Sequence, residues 1–170
     1  MGKRILASLF VVLLAVSSLS ARSFGYSLAF DGEKTESNAF GGASLGLVWK
    51  PWEREWCNPS FSVSASLGTD MAKRFAVPST TFAVNVDLFR TLNHPFAFVA
   101  HNKIAYDPSL TVGMQVRYDE VVRPALYLSA SPFKFSQPDF WYEALSPFGT
   151  WSSKGWSWGV TLFRFTFLCL

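Results

Sequence analysis

Charge is scarce in this sequence. Of its 170 residues, 16% are charged, whereas 49% are hydrophobic and 17% are aromatic. Soluble domains usually carry about a quarter charged residues, so this chain has either a very large core or a surface that does not face water. The same figures exclude an intrinsically disordered chain, which needs few aromatics and many charges.

Several features that would indicate a particular chemistry are missing. The two cysteines, Cys57 and Cys169, form no Cys-x-x-Cys pair. An exported protein can form a disulfide, but we expect these two cysteines to be free thiols. Clustered His, Cys or carboxylate ligands and Gly-rich phosphate loops are absent, so we expect no metal and no cofactor. No Lys/Arg-rich run occurs, and nucleic acid is therefore not an expected partner.

The first 21 residues are predicted to be a signal peptide, followed by one domain over residues 22–170. Lys3 and Arg4 precede an apolar stretch over residues 5–16, and small residues at 18–21 supply a cleavage site. The apolar stretch is shorter than the roughly 20 residues of a membrane-spanning helix. The chain has 15 basic and 12 acidic residues, so loss of Lys3 and Arg4 leaves 13 against 12, a net charge of +1.

Apolar residues alternate with small or polar ones along the rest of the chain, and no helical period persists. In residues 60–68, Phe61, Val63, Ala65 and Leu67 lie on one face and Ser or Gly residues on the other. Eight segments share this pattern: 23–30, 43–49, 60–68, 81–89, 96–106, 110–119, 124–131 and the tail "GWSWGVTLFRFTFLCL". Each has about ten residues, the length of a tilted membrane-spanning strand. The sequence therefore predicts an all-β fold, an eight-stranded antiparallel up-and-down transmembrane β-barrel.

The composition of the two strand faces separates a membrane barrel from a soluble one. A soluble barrel points its apolar face inward, whereas a membrane barrel points it toward lipid. The apolar faces carry large residues and no charge within the predicted spans, and the opposite faces are mainly Ser, Thr, Gly and Ala. Small residues fit the narrow interior of an eight-stranded barrel. We expect the membrane barrel, with a soluble carrier of apolar ligands as the alternative.

The connections between the predicted strands differ in length. Short joins are predicted near residues 90–95 and 120–123, and longer stretches at 31–39, 69–79 and 132–154. Membrane barrels have short periplasmic turns and longer external loops. An even strand number then places both termini on the periplasmic side and the 132–154 stretch outside.

The C-terminal tail predicts closure of the barrel. Backbone that crosses lipid must leave no unpaired edge, so the last strand should pair with the first. Trp156, Trp158 and Val160 are out of phase with Phe163 and its neighbours, which predicts a bulge within residues 159–162. The stretch "FRFTF" is similar to the C-terminal strand of bacterial outer-membrane barrels, whose alternating aromatics are read by the insertion machinery.

In size and pattern, the chain after residue 21 resembles the small eight-stranded outer-membrane proteins, such as OmpX, the OmpA membrane domain and the OmpW family. The resemblance implies location in the outer membrane, with outer-membrane lipid and the insertion machinery as partners. It rests on pattern alone, so it assigns no functional residues.

Ionisable residues on the inward faces predict a polar network in the lumen. Its expected members are Asp87, Arg117, Asp119 and Arg164, near the periplasmic half where the termini lie, together with His101 and Lys103. Buried charges need partners, and we expect Asp87 to meet Arg164 or Arg117 across the lumen. The simplest role of such a network is to plug the interior, and a gate is the alternative.

Catalysis is not expected from these residues. A nucleophile near a histidine base would be needed for lipid hydrolysis, but His101 is followed by Asn102 and Lys103. The 132–154 stretch is rich in aromatics, and Phe140, Trp141, Tyr142 and Trp151 are candidate contacts with an external ligand or host surface. Packing over the barrel mouth is the alternative for these side chains.

The sequence thus favours a structural or surface-interaction protein of the outer membrane with a plugged lumen. Two alternatives stay open. One is a narrow conduit or binding protein for small apolar molecules, and the other is a lipid-modifying enzyme of the outer membrane.

Overall fold

The described part of the chain folds into β-strands. The computed structural model describes residues 24–35, 39–51, 58–70, 76–92, 104–118, 122–137, 139–153 and 155–169. Its strands are β1 (Phe24–Lys34), β2 (Ala39–Trp49), β3 (Asn58–Asp70), β4 (Ala76–Asp87), β5 (Thr91–Leu92), β6 (Ala105–Tyr106), β7 (Ser109–Tyr118), β8 (Val122–Ser131), β9 (Phe133–Gln137), β10 (Phe140–Ser152) and β11 (Gly155–Leu168). The predicted signal peptide, residues 1–21, lies outside the described residues. No described segment forms a helix long and apolar enough to cross a membrane.

Eight of these strands close into a ring. β11 pairs antiparallel with both β1 and β10, and the ring runs β11-β1-β2-β3-β4-β7-β8-β10. Following the register once around the ring from Phe24 leads to Lys34, ten residues further along β1. A shear of ten for eight strands corresponds to a tilt of about 40°. The predicted closed antiparallel barrel is confirmed, including the pairing of the C-terminal tail with the first strand.

Strand alternation decides which side chains face the interior. On β1, Ser27 is buried and Tyr26 is exposed on the outer face. On β2, Ser44 is buried, whereas Leu45 and Leu47 project outward with 65% and 71% of their surface exposed. Small hydroxyl residues therefore line the interior and large apolar residues form the outer wall, which is the inverse of a soluble protein with an apolar core.

A pair of bulges shifts the phase of the last two barrel strands. Leu162 on β11 is skipped in the pairing with β1 and with β10. Opposite it, Leu145 on β10 is also skipped and adopts a left-handed backbone conformation with φ of 50°. The bulge predicted within residues 159–162 is confirmed. Because of it, both Thr161 and Arg164 face the interior.

Two of the predicted segments are placed differently by the structure. Of the segment 96–106 only residues 104–106 are described, and they form no separate barrel strand. Their strand, β6, continues β7 and pairs with β5 and β9, which continue β4 and β8. The seventh barrel strand is β10, within the stretch 132–154 that the sequence predicts as an external loop. β10 escapes recognition because Leu145 breaks its alternation and Pro147 is atypical of a central strand.

The change of strand also changes the two ends of the barrel. We call the end where β1 begins and β11 ends the terminal rim, and the opposite end the far rim. The far-rim connections are residues 35–38, 71–75, 119–121 and 153–154. The terminal-rim connections are 50–57, 93–104 and 138–139 once β5, β6 and β9 are counted with the strands they continue, so two of these three are longer than any at the far rim. The expectation of short turns beside the termini is therefore wrong, and Arg117 lies at the far rim, not near the terminal one.

Candidate functional site: the polar lumen

The lumen is closed at the terminal rim by a row of buried polar residues. Asn58, Asp87, Ser109 and Ser131 are successive register partners on four neighbouring strands. Their exposed fractions lie between 0% and 5%. Because four adjacent strands each contribute an inward polar residue at one level, the row forms a floor across this side of the lumen.

Charged side chains complete this floor. Lys134, which is 2% exposed, donates from Nζ to Oδ1 of Asp87 at 2.5 Å. Arg164 Nη1 lies 3.2 Å from Oε2 of Glu143, which also accepts a hydrogen bond from Ser131 Oγ at 2.7 Å. We call Asp87, Lys134, Glu143 and Arg164 the floor cluster. Its two carboxylates and two cations balance, as buried charges require.

An aromatic ring and a third carboxylate extend the floor cluster. Lys134 Nζ lies 5.1 Å from the centre of the Trp141 ring, within the range of a cation–π contact. Asp107, between β6 and β7, accepts a hydrogen bond from Ser136 and lies 3.9 Å from Arg90 Nε. Burial raises the pKa of the Asp107 carboxyl above its usual value, and the contacts with Ser136 and Arg90 oppose that shift.

The middle of the lumen is lined by hydroxyl and amide groups. Thr111 Oγ1 donates to Asn85 Oδ1 at 2.9 Å, and Ser66 Oγ lies 2.6 Å from Ser79 Oγ. The β3 wall contributes a ladder of four serines, Ser60, Ser62, Ser64 and Ser66, to an interior cavity of about 100 Å³. Tyr127 and Phe148 pack against each other on the opposite wall with ring centres 5.6 Å apart.

Among the residues that the structure describes at the far rim, one ion pair spans the lumen. Arg117 Nη2 lies 2.6 Å from both carboxylate oxygens of Glu33. Glu33 is on β1 and Arg117 on β7, four strands apart in a ring of eight, so the two strands face each other across the barrel. The guanidinium also lies 5.1 Å from the centre of the Phe40 ring. We call Glu33 and Arg117 the mouth pair.

The structure separates the residues that the sequence assigns to one network. Asp87 pairs with Lys134, Arg164 with Glu143 and Arg117 with Glu33, so the expected contact of Asp87 with Arg164 or Arg117 is replaced. Asp119, His101 and Lys103 lie outside the described residues. The three partners that the sequence did not reveal are Lys134, Glu143 and Glu33. Two of them fall in the stretch predicted as a loop, and recognition of β10 would have placed Glu143 on an inward face.

The four aromatic residues expected on a surface loop belong to β10 instead. Trp141 is buried in the lumen beside Lys134. Phe140 packs on Phe167 with ring centres 4.9 Å apart, and Trp151 is exposed on the outer wall near the far rim. Tyr142 stacks on a ring of β9. Their assignment to an external loop is wrong, because strand pairing holds them in the barrel wall.

The lumen of the described residues carries no arrangement that indicates a particular reaction. Within those residues, no three His, Cys, Asp or Glu side chains converge as metal ligands would. The buried Ser131 donates to Glu143, but its side chain is fully enclosed. Compared with models of protein families and with curated proteins, the chain matches none.

Proposed function

We propose that this chain is an integral β-barrel protein of the bacterial outer membrane, exported through residues 1–21, with a structural role in the cell envelope and no enzymatic activity. The observation that carries the proposal is the distribution of polarity in a closed sheet. Large apolar side chains cover the outside, and hydroxyl groups and paired charges fill the inside. Only an apolar solvent makes this arrangement favourable, because in water it would expose the apolar wall.

The dimensions of the wall support this proposal. Ten residues of a strand tilted by about 40° rise roughly 25 Å along the barrel axis. That height matches the apolar band of outer-membrane barrels, about 25 Å. Eight-stranded closure leaves no unpaired backbone edge facing lipid, as a membrane-spanning sheet requires.

Aromatic residues lie near both rims of the outer wall. At the terminal rim, the rings of Phe24, Trp49 and Phe61 follow one another on three strands, with centres 6.1 and 5.3 Å apart. At the far rim, Trp151 and Trp156 are register partners at the β10–β11 hairpin and both are exposed. Amphipathic rings favour the boundary between lipid and water, so two such belts support insertion of the barrel between them.

The lumen favours a structural role over passage of apolar molecules. Its wall is hydroxyl-lined, and the floor cluster occupies the terminal end. We include outer-membrane lipid and the insertion machinery as partners, the latter through β11. External contact through residues 132–154 is not part of the proposal, since 140–152 form a barrel strand.

Refolding of residues 22–170 into lipid vesicles tests the proposal. We expect a heat-modifiable band on a denaturing gel and quenching of tryptophan fluorescence by brominated lipids, because Trp151, Trp156 and Trp158 are exposed on the outer wall. A chain that stays soluble and monomeric after detergent removal, with no quenching, would show that the outer wall does not face lipid.

A charge on the outer wall sharpens the same test. Leu128 is exposed near the middle of β8, and Leu128→Arg should lower the free energy of unfolding in vesicles by about 2–4 kcal/mol. Trp151→Arg, close to the far rim, is the matched control and should cost about 0–1 kcal/mol. Equal and small costs at both positions, measured by denaturant titration, would contradict membrane insertion.

A further inference from the structure

The interior cavity ends differently at the two rims. Toward the terminal rim its lining ends at Ser60, Asn85 and Thr111, one inward position above the buried floor row. On the β10–β11 side the lining ends at the floor cluster itself, at Glu143 and Arg164 with their neighbours Trp141 and Thr166. Toward the far rim its lining continues to Gly68, Arg117 and Glu33, beside the last residues of their strands. The cavity is therefore closed by tightly packed side chains at one end and only by the mouth pair at the other, within the part of the chain that the structure describes.

The mouth pair is more exposed than the Lys134–Asp87 pair of the floor cluster. Its side chains are 19% and 10% exposed, whereas Lys134 and Asp87 are 2% and 7% exposed. The Arg164–Glu143 pair, at 23% and 3%, is about as exposed as the mouth pair, but it joins adjacent strands that are already paired. Water reaches the mouth pair and weakens the attraction between its charges. The pair also joins opposite strands through two long side chains, so rotamer changes alone can separate the charges without breaking any strand pairing.

The wall of the cavity selects for small uncharged solutes that form hydrogen bonds. Of the ionic groups around it, Glu33 is paired with Arg117 and Glu143 with Arg164. The Asp31 carboxylate accepts hydrogen bonds from Thr161 at 2.6 Å and from Ser44 at 3.4 Å. The rest of the lining combines the hydroxyl groups of the serine ladder and the amides with apolar groups such as Val48, Val77 and Phe148. A volume of about 100 Å³ holds several water-sized groups, which is enough for a short polyol.

We propose that the lumen is a one-ended compartment that admits small neutral hydroxylated solutes from the far rim, with the mouth pair as its closure and the floor cluster as its permanent base. Solute enters and leaves through the same rim, so the barrel binds without conducting. The inference depends on the barrel fold and not on where the barrel resides.

Cysteine reporters at two depths test this compartment in the detergent-refolded barrel. Ser64→Cys places a thiol on the cavity wall, which we call the cavity thiol. Ser109→Cys places one in the buried floor row, which we call the floor thiol. Cys169 is an exposed free thiol and serves as the internal reference. Cys57, which lies outside the described residues, is replaced by Ser. The neutral reagent hydroxyethyl methanethiosulfonate modifies the thiols, and the rate for each thiol is measured separately on the peptide that contains it.

We expect the cavity thiol to react more slowly than Cys169 and far faster than the floor thiol. Arg117→Gln should raise the rate of the cavity thiol about tenfold, since it removes a charged hydrogen bond, and leave the rate of the floor thiol unchanged. Glu33→Gln should act in the same way. Lys34→Gln, which removes a charge from the exposed neighbour of Glu33, is the matched control and should change neither rate.

Each alternative result overturns a defined part of the proposal. If the cavity thiol is as protected as the floor thiol in every variant, the lumen admits no solute. If the floor thiol becomes as reactive as the cavity thiol, the barrel is open at both ends. If cationic or anionic reagents of similar size modify the cavity thiol faster than the neutral one does, relative to Cys169, the solute class is wrong. Ser62→Cys, on the same wall, replaces the reporter if Ser64→Cys does not refold.

Discussion

The two ends of the lumen use ion pairs in different ways. At the terminal rim, Glu143 and Arg164 are register partners on adjacent strands, and Lys134 reaches Asp87 across a short span of the ring. At the far rim, Glu33 and Arg117 join strands on opposite sides of the barrel. The first arrangement reinforces the wall locally, while the second connects two walls that the sheet already holds apart.

This difference teaches that burial and position together decide what an ion pair does. The Asp87–Lys134 pair of the floor cluster is enclosed, so loss of one member would leave an uncompensated charge inside the protein, which is costly. The mouth pair is partly hydrated, and separation of its charges restores their contact with water. The same chemistry therefore stabilises the fold at one end and closes an opening at the other.

The largest effect should come from reversing a charge in the floor cluster. Asp87→Arg removes the partner of Lys134 and places a second cation beside it. Loss of a buried pair costs about 3–5 kcal/mol, which approaches the whole stability of a small domain. We expect this variant not to reach the heat-modifiable state when it is refolded in detergent.

The swapped pair is the control for that experiment. Asp87→Lys combined with Lys134→Asp restores opposite charges at the same two positions and should recover most of the folded fraction. A single Asp87→Arg variant with an unchanged unfolding midpoint would show that the floor cluster contributes no more than a surface ion pair, and the contrast between the two ends would be lost.

The architecture could be predicted from the sequence because the alternation of apolar and polar residues identifies β1 to β4, β7, β8 and β11 as strands. That identification does not require the strand pairing to be known. β10 was missed because the Leu145 bulge and Pro147 disrupt the alternation on which the prediction depends. Counting residues 96–106 as a separate barrel strand reversed the direction assigned to β7 and so moved Arg117 to the wrong rim. Ion-pair partners such as Lys134 and Glu143 could not be predicted, because a contact between strands depends on topology and register. Alternation of apolar and polar residues does not encode either of these.

A smaller effect on stability is expected at the mouth. Arg117→Gln keeps a hydrogen-bonding side chain but loses the charge, and the mouth pair is partly exposed. The free energy of unfolding should therefore fall by about 1 kcal/mol or less, and high salt should shrink the difference further. Denaturant titrations of Arg117→Gln and the wild type under identical conditions measure this loss. A failure of Arg117→Gln to refold, as expected for Asp87→Arg, would show that the mouth pair is a structural element like the floor cluster.

The smallest effect concerns the pH dependence of the terminal rim. The pKa of Asp107 is raised by burial above the ordinary value of 3.8. Between the ordinary and the raised pKa the folded state binds more protons than the unfolded state, so stability falls as pH rises through this window, from about pH 4 upward. Asp107→Asn should remove that part of the slope, because the amide stays neutral and still accepts the hydrogen bond from Ser136.

Asp139→Asn, at an exposed position on the same rim, is the control and should follow the wild-type profile. The unfolding midpoints of Asp107→Asn are measured from about pH 4 to pH 7. If they change with pH as steeply as those of the wild type, the pH dependence belongs to other groups. Asp107 would then not be a titrating neighbour of the floor cluster.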